Sequence, residues 1–239
     1  MPLELLKSRT GRTLIESHRG VEGNIPENSW LAIKLGYDLG ADLIEVDIQM
    51  SSDGVPFLRH NYQLPDGRWC NSLTWNELNK VRIDDEPLPL LEDVLIWARD
   101  AEVNLSLDLK SIFTPNHELS KAVIRLLERT ETQAKNLLLF VDHQELIQFK
   151  MSYPDIAVRA LVTGRLAGYS DYIKKLGADC ISLSYGMFYP QDVEEIHSVG
   201  ASVVLGGVWN TSTSLFSEVD IDIFSHGNPA EARKILEHQ

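Results

Sequence analysis

Thiol chemistry is nearly absent from this 239-residue sequence, whose cysteines are Cys70 and Cys180. Neither has CxxC or Cys/His spacing, which argues against a disulfide framework, a zinc site or a redox dithiol and fits a reducing, cytoplasmic setting. No apolar run reaches the roughly 18 residues of a spanning helix, so no stable membrane insertion is expected. Residues Met1 to Thr13 alternate in charge and lack the apolar core of a signal peptide. No Gly/Ser/Pro-rich linker and no short repeat divides the chain, which predicts one domain over 1–239. Gly164, Gly206 and Gly207 form neither a GxGxxG nor a P-loop pattern. Ser182 and Ser184 have no nucleophile elbow, so serine-hydrolase chemistry is not expected. Positive charge is also scarce: 22 Lys and Arg face 35 Asp and Glu, for a net −13. That balance argues against nucleic acid or an anionic membrane as partner. A small anion remains possible, because a local metal, Arg or Lys reverses the field at one site.

What the chain does have is a regular alternation of strand and helix signals. Strands are predicted at 14–18, 43–48, 55–60, 105–110, 137–142, 157–162, 180–184, 202–207 and 221–225. Helices are predicted at 29–39, 90–101, 118–131, 144–153, 168–176, 191–199 and 229–237. Asn28 is the expected N-cap of the first helix, with Gly40 closing it, and Gly177 and Gly200 closing two others. Repeated βα units imply a parallel sheet, and at roughly 250 residues a closed (β/α)8 TIM-type barrel is favoured over an open sheet. Nine strand candidates compete for eight places, so one is expected outside the barrel or misread. Only about seven residues separate Asp47 from Val55, whereas a helical crossover needs about a dozen or more. No helix is therefore expected between the second and third strands, which are joined by an extended return or a hairpin.

Ionisable residues interrupt these apolar strands at positions that share a face. Glu45 and Asp47 lie two apart and point to one side, with Ile44, Val46 and Ile48 on the other. Asp108 and Lys110 repeat the pattern, against Leu105, Leu107 and Leu109. Adjacent like charges are unfavourable unless a cation lies between them. Barrel active sites sit at the C-terminal ends of strands, where His18, Arg19, Glu45, Asp47, His60, Asp108 and Lys110 all fall. Glu45, Asp47 and Asp108 suit one divalent cation, Mg2+ or Ca2+, since both prefer oxygen ligands. Arg19 and Lys110 suit phosphate oxygens, and His18 and His60 suit acid–base work. The blander reading is a set of rim ion pairs, such as Glu45 with Lys110 or Asp108 with Arg19. The remaining histidines, 117, 143, 197, 226 and 238, are expected at the surface.

The runs His18-Arg19-Gly20, Pro26-Glu27-Asn28-Ser29, Gly40-Ala41-Asp42, Ile44-Glu45-Val46-Asp47, Ser52-Asp53-Gly54, Pro56 and His60 together resemble the signature of glycerophosphodiester phosphodiesterases. Leu88 to Leu95, Leu107 to Lys110 and Ile223 to Pro229 continue the resemblance more weakly. It implies a (β/α)8 barrel, a divalent cation, two catalytic histidines, and hydrolysis of a glycerophosphodiester to glycerol 3-phosphate and an alcohol. The chain departs from the pattern at His60-Asn61, where His-Asp is usual, and at Asp108, where Glu is common. It departs again at Gly206 to Asn210 and at His226-Gly227-Asn228-Pro229. Residues 61–88 stand where the family places a cap beside the active site, here short, with Trp69 near its tip. The expected activity is thus a metal-dependent phosphodiesterase acting on a small molecule. The alternatives are a lyase like the spider-venom phospholipases D, which releases a cyclic phosphate, or a non-catalytic barrel that binds a phosphodiester.

Overall fold

The apolar faces anticipated along each strand find their partners in a ring of helices. In the computed structural model, residues 4–207 and 219–237 are described. The order is α1 (Lys7–Thr10), β1 (Leu14–Ser17), α2 (Trp30–Asp38), β2 (Leu43–Met50), β3 (Pro56–Leu58), α3 (Trp75–Leu78), β4 (Arg82–Ile83), β5 (Glu86–Pro87), α4 (Leu91–Asp100) and β6 (Asn104–Leu109). It continues with α5 (Glu118–Thr130), β7 (Asn136–Phe140), α6 (His143–Ser152), β8 (Ala157–Leu161), α7 (Tyr169–Leu176), β9 (Cys180–Ser184), α8 (Pro190–Ser198), β10 (Ser202–Gly206), β11 (Ile223–His226) and α9 (Pro229–Glu237). The parallel strands run β1-β11-β10-β9-β8-β7-β6-β2, and a β1–β2 pairing closes the ring. This is the expected eight-stranded barrel.

The surplus strand is β3. It pairs antiparallel with the upper half of β2, Ile48 opposite Leu58 and Met50 opposite Pro56, and so forms a hairpin off the barrel rim. No helix intervenes between them, as the short spacing requires. The chain returns to the barrel through α4 after a segment with its own apolar cluster of Phe57, Leu64, Cys70, Leu73, Leu78 and Leu88.

Alternation along the strands sorts the side chains into layers. Outward-facing Ile15, Ile44, Val46, Ile48, Leu105, Leu107 and Leu109 join the main core beneath the helices. Each such buried side chain contributes about 1.5–3 kcal/mol. In α5, Leu119, Ala122, Val123, Leu126 and Leu127 recur at helical spacing and bury one face. Inside the barrel, Leu43, Leu137, Ala157, Cys180, Val204 and Ile223 form an apolar bottom layer, plugged by Leu5. Above that layer the interior turns polar, and the site begins there.

Candidate active site

Strand register brings the acids together. Asp47 on β2 lies directly beside Asp108 on β6, and Glu45 beside Ser106. Both strands present alternate residues to the barrel interior, so Glu45, Asp47 and Asp108 share one spot. Oxygens of the three lie within 4.8 Å of one another, and all three side chains are buried. Lys110 donates to Asp47 Oδ1 at 2.7 Å and to Asp108 Oδ2. Arg19 is bound to Glu27 Oε2 at 2.7 Å, and its Nε stands 3.4 Å from Asp47 Oδ2. The pairs imagined from sequence, Glu45 with Lys110 and Asp108 with Arg19, are replaced by these.

The electrostatics are unbalanced. Burial, together with the carboxylates of Asp47 and Asp108, pushes Glu45 up to about 8 despite the nearby His18. Burial likewise raises Asp108, with Lys110 opposing and Asp47 adding to the rise. Burial also disfavours the charge on Asp47, but Lys110 and Arg19 outweigh it and hold this carboxyl below its usual range. Asp108 Oδ1 is buried without a hydrogen-bond partner.

The histidines flank this cluster. His18 follows β1, with Nε2 at 4.0 Å from Glu45 Oε2 and Nδ1 bonded to Glu22. Burial disfavours its cation, yet the Glu22 bond and the charge of Glu45 prevail and raise it to about 8. His60 lies two residues beyond β3; its Nδ1 is 3.1 Å from Asn61 Oδ1 and 3.9 Å from Glu27 Oε1. All seven residues singled out in the sequence therefore gather at one end of the barrel. A cavity of about 620 Å³ there is lined by His18, Arg19, Glu45, His60, Asp108 and Lys110.

Several supporting residues were not anticipated. Asn28 is not the helix cap: Ser29 is, its Oγ accepting from Ala32 N at 3.1 Å. Asn28 instead adopts a left-handed φ of 60°. It donates to Asp47 Oδ2 at 2.7 Å, and its Oδ1 accepts from Asp47 N at 2.8 Å. The pull of the buried carboxylate outcompetes capping. Gln49 donates from Nε2 to the carbonyls of Arg59, His60 and Asn61 at 2.8, 3.3 and 2.9 Å, fixing the loop that carries His60. Its signal was available, since Gln49 continues the Glu45, Asp47 alternation. His226, expected at the surface, ends β11 and lines the cavity. Its place opposite Ser17, on the strand that pairs with β1, is set by barrel closure, which local pattern does not reveal. Glu16 and Arg159, also unassigned, form a buried ion pair beneath the mouth. Of the weakly matched segment 206–210, Val208, Trp209 and Asn210 lie outside the described residues, as does His238.

The chain is 28% identical over 179 residues to the uncharacterized protein YqiK of Bacillus subtilis (strain 168), covering 70% of this chain and 73% of the relative. It is 26% identical over 179 residues to a glycerophosphodiester phosphodiesterase of Bacillus altitudinis, again covering 70% and 73%. An Oleispira antarctica phosphodiesterase, solved in complex with the product sn-glycerol-3-phosphate, has the same fold. Its TM-score is 0.85 at 21% identity, covering 96% of this chain and 99% of that one. The model of the glycerophosphoryl diester phosphodiesterase family matches residues 18–223, and the chain belongs to that family.

Proposed function

We propose that this protein hydrolyses glycerophosphodiesters to glycerol 3-phosphate and an alcohol, using one divalent cation, Mg2+ or Ca2+, and His18 and His60 as the acid–base pair. The observation that carries the reading is the convergence of three buried carboxylates, two cationic side chains and two histidines on one cavity. The residues fit a cation. Their donors are hard oxygens, Asp108 Oδ1 lacks a partner, and Glu45 is raised to about 8 by burial and its acidic neighbours, a penalty that an added positive charge relieves. Glu45, Asp47 and Asp108 would hold it, and when bound it supplies charge neutralisation to the phosphoryl group.

The chain's own groups account for the rest. Arg19 and Lys110, placed beside the carboxylates, bind the phosphate oxygens and orient the diester. One histidine takes a proton from the attacking oxygen while the other gives a proton to the departing alkoxide. One P–O bond forms as another breaks, and water supplies the elements added to the two products. Glu22 and Asn61 each bond Nδ1 of their histidine, and Nε2 of His18 stands 4.0 Å from Glu45 Oε2. Residues 61–88 form a short cap beside the cleft within a single barrel domain, and the substrate is a small molecule rather than a nucleic acid. The two cysteines are free and buried, in keeping with a cytoplasmic home, and no helix among the described residues is long and apolar enough to cross a membrane.

The test is release of glycerol 3-phosphate from glycerophosphocholine, with and without chelator. Chelator-sensitive turnover is expected. Full turnover by metal-free protein sinks the cation, and no turnover of any diester sinks the enzyme in favour of a binding barrel.

A further inference from the structure

His18, Arg19 and His60 border two cavities rather than one. On one side lies the barrel mouth, with Glu45, Asp108 and Lys110. On the other lies a second cavity of about 780 Å³, between the segment that follows β1 and the β4–β5 hairpin. The proposed acid–base and phosphate-binding groups thus form a partition. A phosphodiester carries two arms on one phosphorus, and a phosphate held at a partition sends one arm to each side.

The second cavity has its own chemistry. Ile25, Pro26, Ile83 and Pro87 give it apolar, half-buried walls. Four carboxylates also border it, Glu22, Glu27, Asp84 and Glu86. Two of these are engaged: Glu22 is bound to His18, and Glu27 to Arg19 at 2.7 Å. Asp84 and Glu86 have no ion-pair partner among the described residues. Arg59, the remaining cation on this side, gives Nη2 to Gln63 O at 2.8 Å. The outer half of the cavity therefore holds two open carboxylates against one guanidinium that is already tied.

Local structure fixes where these acids stand. Ile83 and Glu86 face each other across β4 and β5. The two residues between them, Asp84 and Asp85, both have left-handed φ, 47° and 70°. Such turns favour Asn-Gly, and acids there keep a backbone strain that an ordinary hairpin avoids. One short hairpin thus supplies both open carboxylates together with the apolar Ile83 and Pro87.

Apolar walls beside unpaired carboxylates suit an alkylammonium group. Its methyl or methylene groups lie against Ile and Pro, and its charge meets Asp and Glu. A polyol would leave those walls unused. Resting on the reading above, we propose that this second cavity receives the departing alcohol of the diester, and that the β4–β5 hairpin selects cationic amino alcohols such as choline or ethanolamine.

The test is the ratio of kcat/KM for glycerophosphocholine to that for its neutral isostere, with a tert-butyl group in place of trimethylammonium. It is measured in wild type and in Asp84→Asn/Glu86→Gln, whose Asn suits the left-handed turn. The intrinsic reactivity of the two alcohols, and any general loss of activity, cancel between the two proteins. The ratio is expected to fall about fivefold in the variant, the scale of exposed charge pairs. An unchanged ratio overturns the inference and leaves the hydrolase reading standing. Should the variant not fold, the wild-type ratio is followed against ionic strength. It should fall as salt screens the carboxylates, and a ratio indifferent to salt overturns the inference. If neither diester is turned over, the enzymatic reading fails instead, and calorimetric binding of the two diesters to the Ca2+-loaded protein decides. Tighter binding of the choline diester in wild type but not in the variant supports the cavity, and equal binding refutes it.

Discussion

Replacing Gln49 with Leu should slow the enzyme without dismantling it. Gln49 is 3% exposed, and its Nε2 reaches three carbonyls at 2.8, 3.3 and 2.9 Å. An amide nitrogen has two hydrogens, so these contacts amount to two good bonds and one shared. At about 0.5–1.5 kcal/mol each, their loss removes about 1–3 kcal/mol from the loop conformer that carries His60. If that conformer is the competent one, the rate falls about 5- to 150-fold. Other ties hold the same loop, including Arg59 N to Asp47 O at 2.9 Å and Cys70 N to Tyr62 O at 2.9 Å. The expected loss therefore lies near the lower end, about tenfold in kcat, with KM changed little. The assay is steady-state release of glycerol 3-phosphate, with the thermal midpoint as a folding control. In a His60→Ala background, Gln49→Leu should add almost nothing, because both changes disable the same group. A full and additive loss in that background would falsify the claim that Gln49 acts through His60.

Four further outcomes are expected. Chelation should abolish turnover and Mg2+ or Ca2+ should restore it, with activity in metal-free protein as the contrary result. His18→Ala and His60→Ala should each lower kcat by about 100-fold or more while melting within a few degrees of wild type; near-normal turnover in either removes that histidine from the mechanism. Asn61→Asp should keep activity within about tenfold, since Asp retains the acceptor oxygen that faces His60 Nδ1, and a larger change would place Asn61 against the substrate or the cation. His197 donates to buried Asp222 at 2.7 Å, and this bond raises it above its usual value. A raised histidine stabilises the fold below its unfolded value of about 6.5 and loses that contribution as pH climbs through the folded value. His197→Gln should thus cost most stability near pH 5.5 and little near pH 9; denaturant titrations showing an equal cost at both would refute it.

The barrel was legible because its strands carry a period-2 pattern that survives without tertiary context. Glu45 and Asp47 against Ile44, Val46 and Ile48 gave both the face that packs on helices and the face that points into the barrel. Asp108 and Lys110 were readable for the same reason. What escaped was pairing across distance. Arg159 sits between Val158 and Ala160, but its partner Glu16 lies 143 residues away, and no local spacing joins them. Glu22 is four residues from His18, close enough to suspect, yet its bond depends on a turn with Arg19 at φ 54° and Gly20 at φ 81°. Gly20 is obligatory there, because a Cβ would stand 2.5 Å from the backbone of Ala32. Asn28 failed differently. Cap propensity is a weak preference of about 1 kcal/mol, and a buried carboxylate in need of donors outbids it.

The mouth is better explained by chemistry than by stability. If the charged residues served only to pair, Lys110 and Arg19 would serve Asp47 and Asp108 and leave Glu45 only His18 as cation, at 4.0 Å, in a place where apolar packing is usually neutral or more stabilising. The imbalance falls on Glu45, raised to about 8, and on Asp108, whose Oδ1 has no partner. A fold selected for stability alone has no reason to stack Asp47 beside Asp108 on adjacent strands. Lys110 donates to both, so it neutralises them in the absence of a stronger cation. On the proposed reading, a divalent ion held by Glu45, Asp47 and Asp108 would compete with Lys110 for those oxygens, and Lys110 would then be available to the phosphate. Arg19 is placed for the same exchange, held on one side by Glu27 and close to Asp47 on the other. On that reading the two basic residues would link occupancy of the acidic triad to phosphate binding.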